Sequence, residues 1–158
     1  MKKKIPGGVS GLLPVCVTMA ALCGAAQAQD MGYWRAASSE AQSITGDITI
    51  AAAKVTIDYY VFPATPIRSL KPVEVSSAFD ADVNAGISGE LYRLVVPADQ
   101  RFQHKNTLCG TEETQWMATY VNGRTMQVAF FSGDSQPVFT FDAMQGTQTK
   151  CGVFRYSR

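Results

Sequence analysis

From Gln29 onward the chain sets apolar and polar residues in short alternating runs separated by turn residues. That is the period-2 signature of half-buried strands, and no convincing stretch follows a 3.6-residue period. The pattern predicts an antiparallel all-β domain with helix limited to a turn or two. Ile44, Ile48 and Ile50 alternate with Thr45, Asp47 and Thr49, and the alternation resumes as Val55, Ile57, Tyr59 and Val61. A hairpin that sets Ile50 against Val55, Ile48 against Ile57 and Ile44 against Val61 gathers the large aliphatic side chains on one face. It also sets Asp47 opposite Asp58 on the outer face, where two like charges cost stability unless a cation or a basic side chain answers them.

Asn122-Gly123 is the preferred two-residue type I′ turn and predicts a second hairpin between 114–121 and 124–131. Its register pairs Val121 with Arg124, Thr119 with Met126, Met117 with Val128 and Gln115 with Phe130, so that face is core. The opposite face carries Trp116, Ala118, Tyr120, Ala129 and Phe131. It is too aromatic for an ordinary wet surface and is either covered or used for binding. Further strands at 33–37, 90–96, 138–142 and 150–156 bring the count to about eight. Eight strands suffice to close a small antiparallel β-barrel without free edges, with a β-sandwich as the alternative. Between 62 and 89 the alternation weakens around Pro63, Pro66, Pro72, Asp80, Asp82, Gly86 and Gly89. Segment 63–89 therefore reads as a long loop with an irregular edge strand over 73–79, and a connection of that length is a candidate binding loop.

The first 28 residues change the picture. Lys2, Lys3 and Lys4 precede an uncharged run over 9–26, and Ala26-Gln27-Ala28 supplies the small-x-small pattern that a signal peptidase cuts. A retained anchor is the competing reading, but Gly11, Pro14 and the short flanks favour removal. Lipidation is disfavoured because Cys16 follows Val15 and Cys23 follows Leu22. The expected product is one domain, 29–158, in the periplasm or secreted, with no stable membrane insertion.

Removing the leader takes three of the 14 basic residues, leaving 11 against 13 acidic ones. Basic residues are scattered, so no nucleic-acid-binding stripe or lipid-headgroup patch is present. Two cysteines remain, Cys109 and Cys151, and in an oxidising compartment they are expected to form a disulfide. His104 is the only histidine, it lies in a polar turn-like stretch, and there is neither a GxSxG elbow nor a CxxC pair. Glu112 and Glu113 adjoin and would point to opposite faces of a strand. No catalytic residue, metal site or cofactor is implied.

Gly32-Tyr33-Trp34 near the start of the expected domain, together with Arg155 on the last strand, resembles the lipocalin signature of a Gly-x-Trp first strand packed by a basic residue from the final one. The resemblance implies a barrel in which Trp34 closes one end and Arg155 lies over it, both as structural residues. Ser88-Gly89-Glu90-Leu91-Tyr92 is similar to the Ser-Gly-x-x-Tyr element of small exported barrels that inhibit lysozyme. That likeness nominates Ser88 and Tyr92 as contacts to a lysozyme cleft. The family's second motif, a lysine after an aromatic, is missing downstream, and Cys109 does not occupy its first cysteine position.

Taken together, these readings point to a non-enzymatic binding protein of the cell envelope, an inhibitor of a secreted or host hydrolase such as lysozyme. Its expected partner is another envelope or extracellular protein, with Ser88, Tyr92, Trp116, Tyr120 and Phe131 as candidate contacts. The alternative is a carrier of a small apolar ligand, with Val95, Met117, Val128 and Phe130 lining a cavity.

Overall fold

The computed structural model describes residues 1–4, 7–8, 29–84 and 88–158; the apolar run and cleavage motif of the expected leader lie outside the described residues. Eight antiparallel strands form a closed barrel in simple sequence order. They are β1 (Gly32–Ala36), β2 (Ile48–Ala51), β3 (Lys54–Ile57), β4 (Tyr60–Leu70), β5 (Ser88–Val96), β6 (Thr114–Asn122), β7 (Thr125–Ser132) and β8 (Lys150–Ser157). Closure falls on the five residues of β1. Gly32 to Trp34 pair with β2, and Arg35 and Ala36 pair with Ser157 and Tyr156 of β8.

The first hairpin keeps two of its expected pairs, Ile50 with Val55 and Ile48 with Ile57. The third is corrected. Ile44 sits in a helical turn over Ala41–Thr45, closed by a bond of 2.8 Å from the Gly46 N–H to the Ala41 carbonyl. Val61 belongs to a separate strand opposite Thr56, because Asp58 turns the chain with φ +57 and lets Tyr60 pair with Ile57. Aspartate adopts this left-handed conformation more readily than most residues.

The second hairpin is offset by two residues from the expected register: Asn122 pairs with Thr125 and Val121 with Met126. Gly123, with φ +59, occupies the first central position of the turn, and Arg124 the second. An even offset leaves every side chain on its expected face, since the period along a strand is two. Met117, Thr119, Val121, Met126, Val128 and Phe130 therefore point inward and are buried.

Residues 63–70 and 72–79 form regular elements rather than the expected loop and irregular edge strand, and the expected strand at 138–142 is absent. Pro63 and Pro66 lie within the 11-residue strand β4, and 72–79 is helix α1 (Pro72–Phe79). The prolines are tolerated because a bulge at Ile67 interrupts the ladder next to Pro66. That bulge reverses the facing of the rest of the strand. Phe62 and Ala64 point into the barrel, whereas Leu70, of the same parity, packs outside it. Pro72 starts α1 as a residue with no N–H to satisfy, and Glu74 reaches back to the Lys71 N–H at 2.8 Å. At 138–142 the alternation is that of a helix start. Thr140 Oγ1 accepts the Ala143 N–H at 3.3 Å and caps helix α2 (Phe141–Gly146).

The barrel interior is filled by Trp34, Tyr92, Tyr156, Phe130 and the aliphatic side chains of β2, β3, β5, β6 and β7. A second core lies outside the wall, between β5 to β8 and the helices. Cys109 and Cys151 are bridged as expected, their Cα atoms 4.9 Å apart, tying the segment before β6 to the start of β8.

The bridge and Gly89 are each expected to contribute to stability. A bridge spanning 42 positions is expected to contribute about 4 kcal/mol by limiting the unfolded chain, so Cys109→Ser with Cys151→Ser lowers the urea midpoint and steepens the slope as the unfolded chain expands. An unchanged midpoint would show the bridge to be energetically idle. At Gly89 an added Cβ meets the Thr119 carbonyl oxygen at 2.5 Å and Val75 Cγ2 at 3.0 Å. Gly89→Ala is therefore expected to cost roughly 1–3 kcal/mol in equilibrium unfolding.

Candidate functional site

The outer core explains the aromatic face of β6 and β7. Leu70, Val75, Ala78 and Phe79 bring α1 over Trp116, Ala118, Tyr120, Ala129 and Phe131, and Phe139 covers the rest. Phe79 lies 5.7 Å from Tyr120, and Phe139 meets Phe131 edge-on at 5.8 Å, both ordinary aromatic packing distances. Trp116 donates its Nε1–H to the Gly133 carbonyl at 3.1 Å and lies beneath the Arg93 guanidinium, 4.7 Å from the ring. Of the two outcomes open for this face, covered or used, it is covered.

What the covering elements expose is the candidate site. Val73 on α1, Val138 before α2 and Phe141 at its start are 60, 62 and 63 % exposed and line one groove of about 530 Å³. Its rim carries Lys71 and the Arg68–Glu74 pair, bidentate at 2.7 and 2.8 Å. Ser77 and Phe141 also line a wider cleft of about 800 Å³ floored by Gln127, Val153 and Lys150. Four charged side chains face that cleft: Lys150 and Arg155 from β8, Glu40 from the chain after β1 and Asp80 at the end of α1.

Electrostatics separates these groups by role. Burial pulls the Lys150 ammonium below the usual lysine range, and its Nζ donates to the Ala78 carbonyl at 2.8 Å, pinning the last turn of α1 to β8. Glu40 is fully exposed and held below the carboxylate norm mainly by a backbone hydrogen bond, with Ser38, Ser39 and Arg155 adding to it. Arg155 is exposed. The cleft thus offers both signs of charge beside an apolar groove, an arrangement that suits a surface carrying both polar and apolar groups.

The residues singled out from sequence fall in different places. Tyr92 is inside the barrel with no exposed surface, its hydroxyl donating to Asp30 Oδ2 at 2.9 Å. Burial, with Asp30 beside it, pushes the phenol well above the ordinary tyrosine range. Trp116, Tyr120 and Phe131 are buried in the outer core, so the contact role expected for these four side chains is corrected to packing. Ser88 remains half-exposed at the start of β5, opposite Val121. Trp34 is fully buried, and the basic residue over it is Arg158 at 4.3 Å from the ring rather than Arg155. Arg155 alternates to the outer side of β8, while the Arg158 Nη1–H reaches the Met31 carbonyl at 3.3 Å.

The cavity expected for a carrier is occupied by side chains. Met117, Val128 and Phe130 are fully buried packing residues, and Val95 is 49 % exposed on the outer surface. Asp47 and Asp58 do adjoin, but neutral donors answer each: Tyr33 Oη and the Ala36 N–H for Asp47, and Gln103 Nε2 at 2.7 Å for Asp58. His104 is exposed, its ring Nδ1 3.2 Å from the Ser43 carbonyl. A carbonyl only accepts, so Nδ1 carries the proton. Among the described residues no group of three or more His, Cys, Asp or Glu side chains is placed to hold a metal ion, and no helix is long and apolar enough to cross a membrane.

Sequence reasoning missed Val73, Val138 and Phe141 because they lie on three different segments and meet only through the α1–α2 packing. The available signal was Thr140 followed by Asp142, a helix start in place of a strand. Comparisons of the chain with protein-family models, with curated proteins and with solved structures found no match in any of the three.

The Arg68–Glu74 pair makes the groove wall sensitive to acid. The hydrogen bonds from Arg68 hold the Glu74 carboxyl below its ordinary range. Its contribution is complete above the unfolded value near 4.3 and is lost as pH falls through the lower folded value. Hydrogen exchange should show α1 amides losing protection in acid and in Arg68→Ala while the β6 and β7 amides keep theirs. Equal α1 protection in Arg68→Ala would assign the helix's hold to Lys150 and the apolar contacts alone.

Proposed function

We propose that this chain is an exported binding protein without catalytic activity, and that its contact surface is the groove of Val73, Val138 and Phe141 with the adjoining charged cleft. The observation that carries the reading is the gathering of three largely exposed apolar side chains beside Lys71, Arg155 and Glu40, on a wall whose other aromatics are already covered. Exposed apolar clusters rimmed by polar groups mark protein contact sites. The disulfide is compatible with the periplasm or the cell exterior as its location.

The partner on this reading is a secreted or host hydrolase, lysozyme being the first to try because Ser88 remains at the surface within its Ser-Gly-x-x-Tyr fragment. The closed eight-stranded barrel with a basic side chain over Trp34 supports kinship of form with lipocalin-type exported barrels. The filled interior favours a protein partner over a small apolar cargo.

The test is hydrolase activity titrated with the processed protein and with a Val138→Ser, Phe141→Ser double variant. Slowed hydrolysis by the parent, weakened at least tenfold in a variant of equal melting temperature, is the expected result. No slowing at micromolar protein removes the lysozyme reading, and equal slowing by both proteins removes this surface. An apolar molecule seen in native mass spectra of the purified protein would favour the carrier instead.

A further inference from the structure

Asp30 is buried to 1 % exposure at the end of the barrel where β1 begins. Its backbone carbonyl accepts the Trp34 Nε1–H at 2.7 Å. Its Oδ2 accepts two hydroxyls, Tyr92 at 2.9 Å and Thr119 at 2.6 Å. Oδ1 is equally buried and has no hydrogen-bond partner. A carboxylate removed from water with one oxygen unanswered is costly, and buried charges are found paired with a cation or fully hydrogen-bonded.

The charged groups around this site are few. Tyr92 faces Asp30 from β5, with Glu90 acting on the same phenol. Arg158 comes from the end of β8, but its guanidinium lies flat over Trp34, and Nη1 is engaged by the Met31 carbonyl. Arg124 is turned to the Arg158 carbonyl, 2.6 Å away. Among the described residues Asp30 forms no ion pair. Gln29 is exposed and directly precedes Asp30.

We propose that the α-ammonium freed on Gln29 by leader removal is the partner of Asp30 Oδ1, so that processing completes the polar network at this end of the barrel. The inference rests on the export reading. Hydrolysis adds one water across the Ala28–Gln29 bond, leaving a carboxylate on Ala28 and an ammonium on Gln29. Before cleavage that nitrogen is a neutral amide, so the precursor holds Asp30 without a cation and folds less stably than the product.

The test begins with the mass of the exported protein, which is expected to start at Gln29 with its amine intact. Recovery of the uncut chain would overturn both the export reading and this one. A Gln29 cyclised to pyroglutamate, with loss of ammonia, would overturn the pairing alone. Inserting Gly-Ser between Ala28 and Gln29 preserves the cleavage motif and moves the amine away from Asp30. That variant is expected to melt several degrees lower at neutral pH.

The gap should vanish in an Asp30→Asn background, and an equal gap there, or none in the parent, overturns the proposal. Pairing raises the amine's pKa, so the stabilisation is complete below the ordinary value of about 7.7–8.0 and fades as pH rises through the higher folded value. If Asp30→Asn fails to fold, nitrogen NMR of the parent's terminal amine decides. A titration midpoint above that range supports the pairing, and a midpoint within it overturns the pairing.

Discussion

The wall from β5 to β8 is apolar on both of its faces, and that constraint organises the rest of the molecule. One face fills the barrel with Tyr92, Met117, Val128, Phe130 and Phe154; the other presents Leu91, Trp116, Tyr120 and Phe131 outward. A sheet wet on one side would alternate apolar with polar, so a wall of this kind demands a second layer. Helix α1 and the approach to α2 are that layer. Because they are short, they cover the aromatics but leave their own outer side chains, Val73, Val138 and Phe141, in water.

Local pattern revealed much of the barrel. The alternation of Ile48, Ile50, Val55 and Ile57 and the turn residue Gly123 identified two hairpins, and the face assignment survived an offset of two residues because facing depends only on parity. The eight strands were counted correctly but composed differently, with 60–70 taking the place expected for 138–142. Prolines hid β4, since a residue without an N–H argues against a strand unless a bulge absorbs it, and bulges leave no local sign. Helix α1 was hidden by its length. Eight residues with Val75, Ala78 and Phe79 on one face are too few for a 3.6-residue period to stand out from alternation.

The site was far less legible. Trp116, Tyr120 and Phe131 drew attention as aromatics and Tyr92 through its Ser-Gly-x-x-Tyr fragment, yet aromatics are as often core as contact, and only the tertiary arrangement separates the two. Trp34 and its covering cation show the same limit at finer scale. A basic residue on the last strand was expected over the ring, and strand parity decided between Arg155, which faces out, and Arg158, which lies over the indole. The disulfide, by contrast, needed only the observation that two of the four cysteines lie outside the expected leader.

The bulge at Ile67 makes β4 a shared beam: Phe62 and Ala64 belong to the inner compartment and Leu70 to the outer one. The two hydrophobic compartments thereby share β4 as well as the wall from β5 to β8. A substitution that shifts this strand therefore disturbs the barrel filling and the helical cover together.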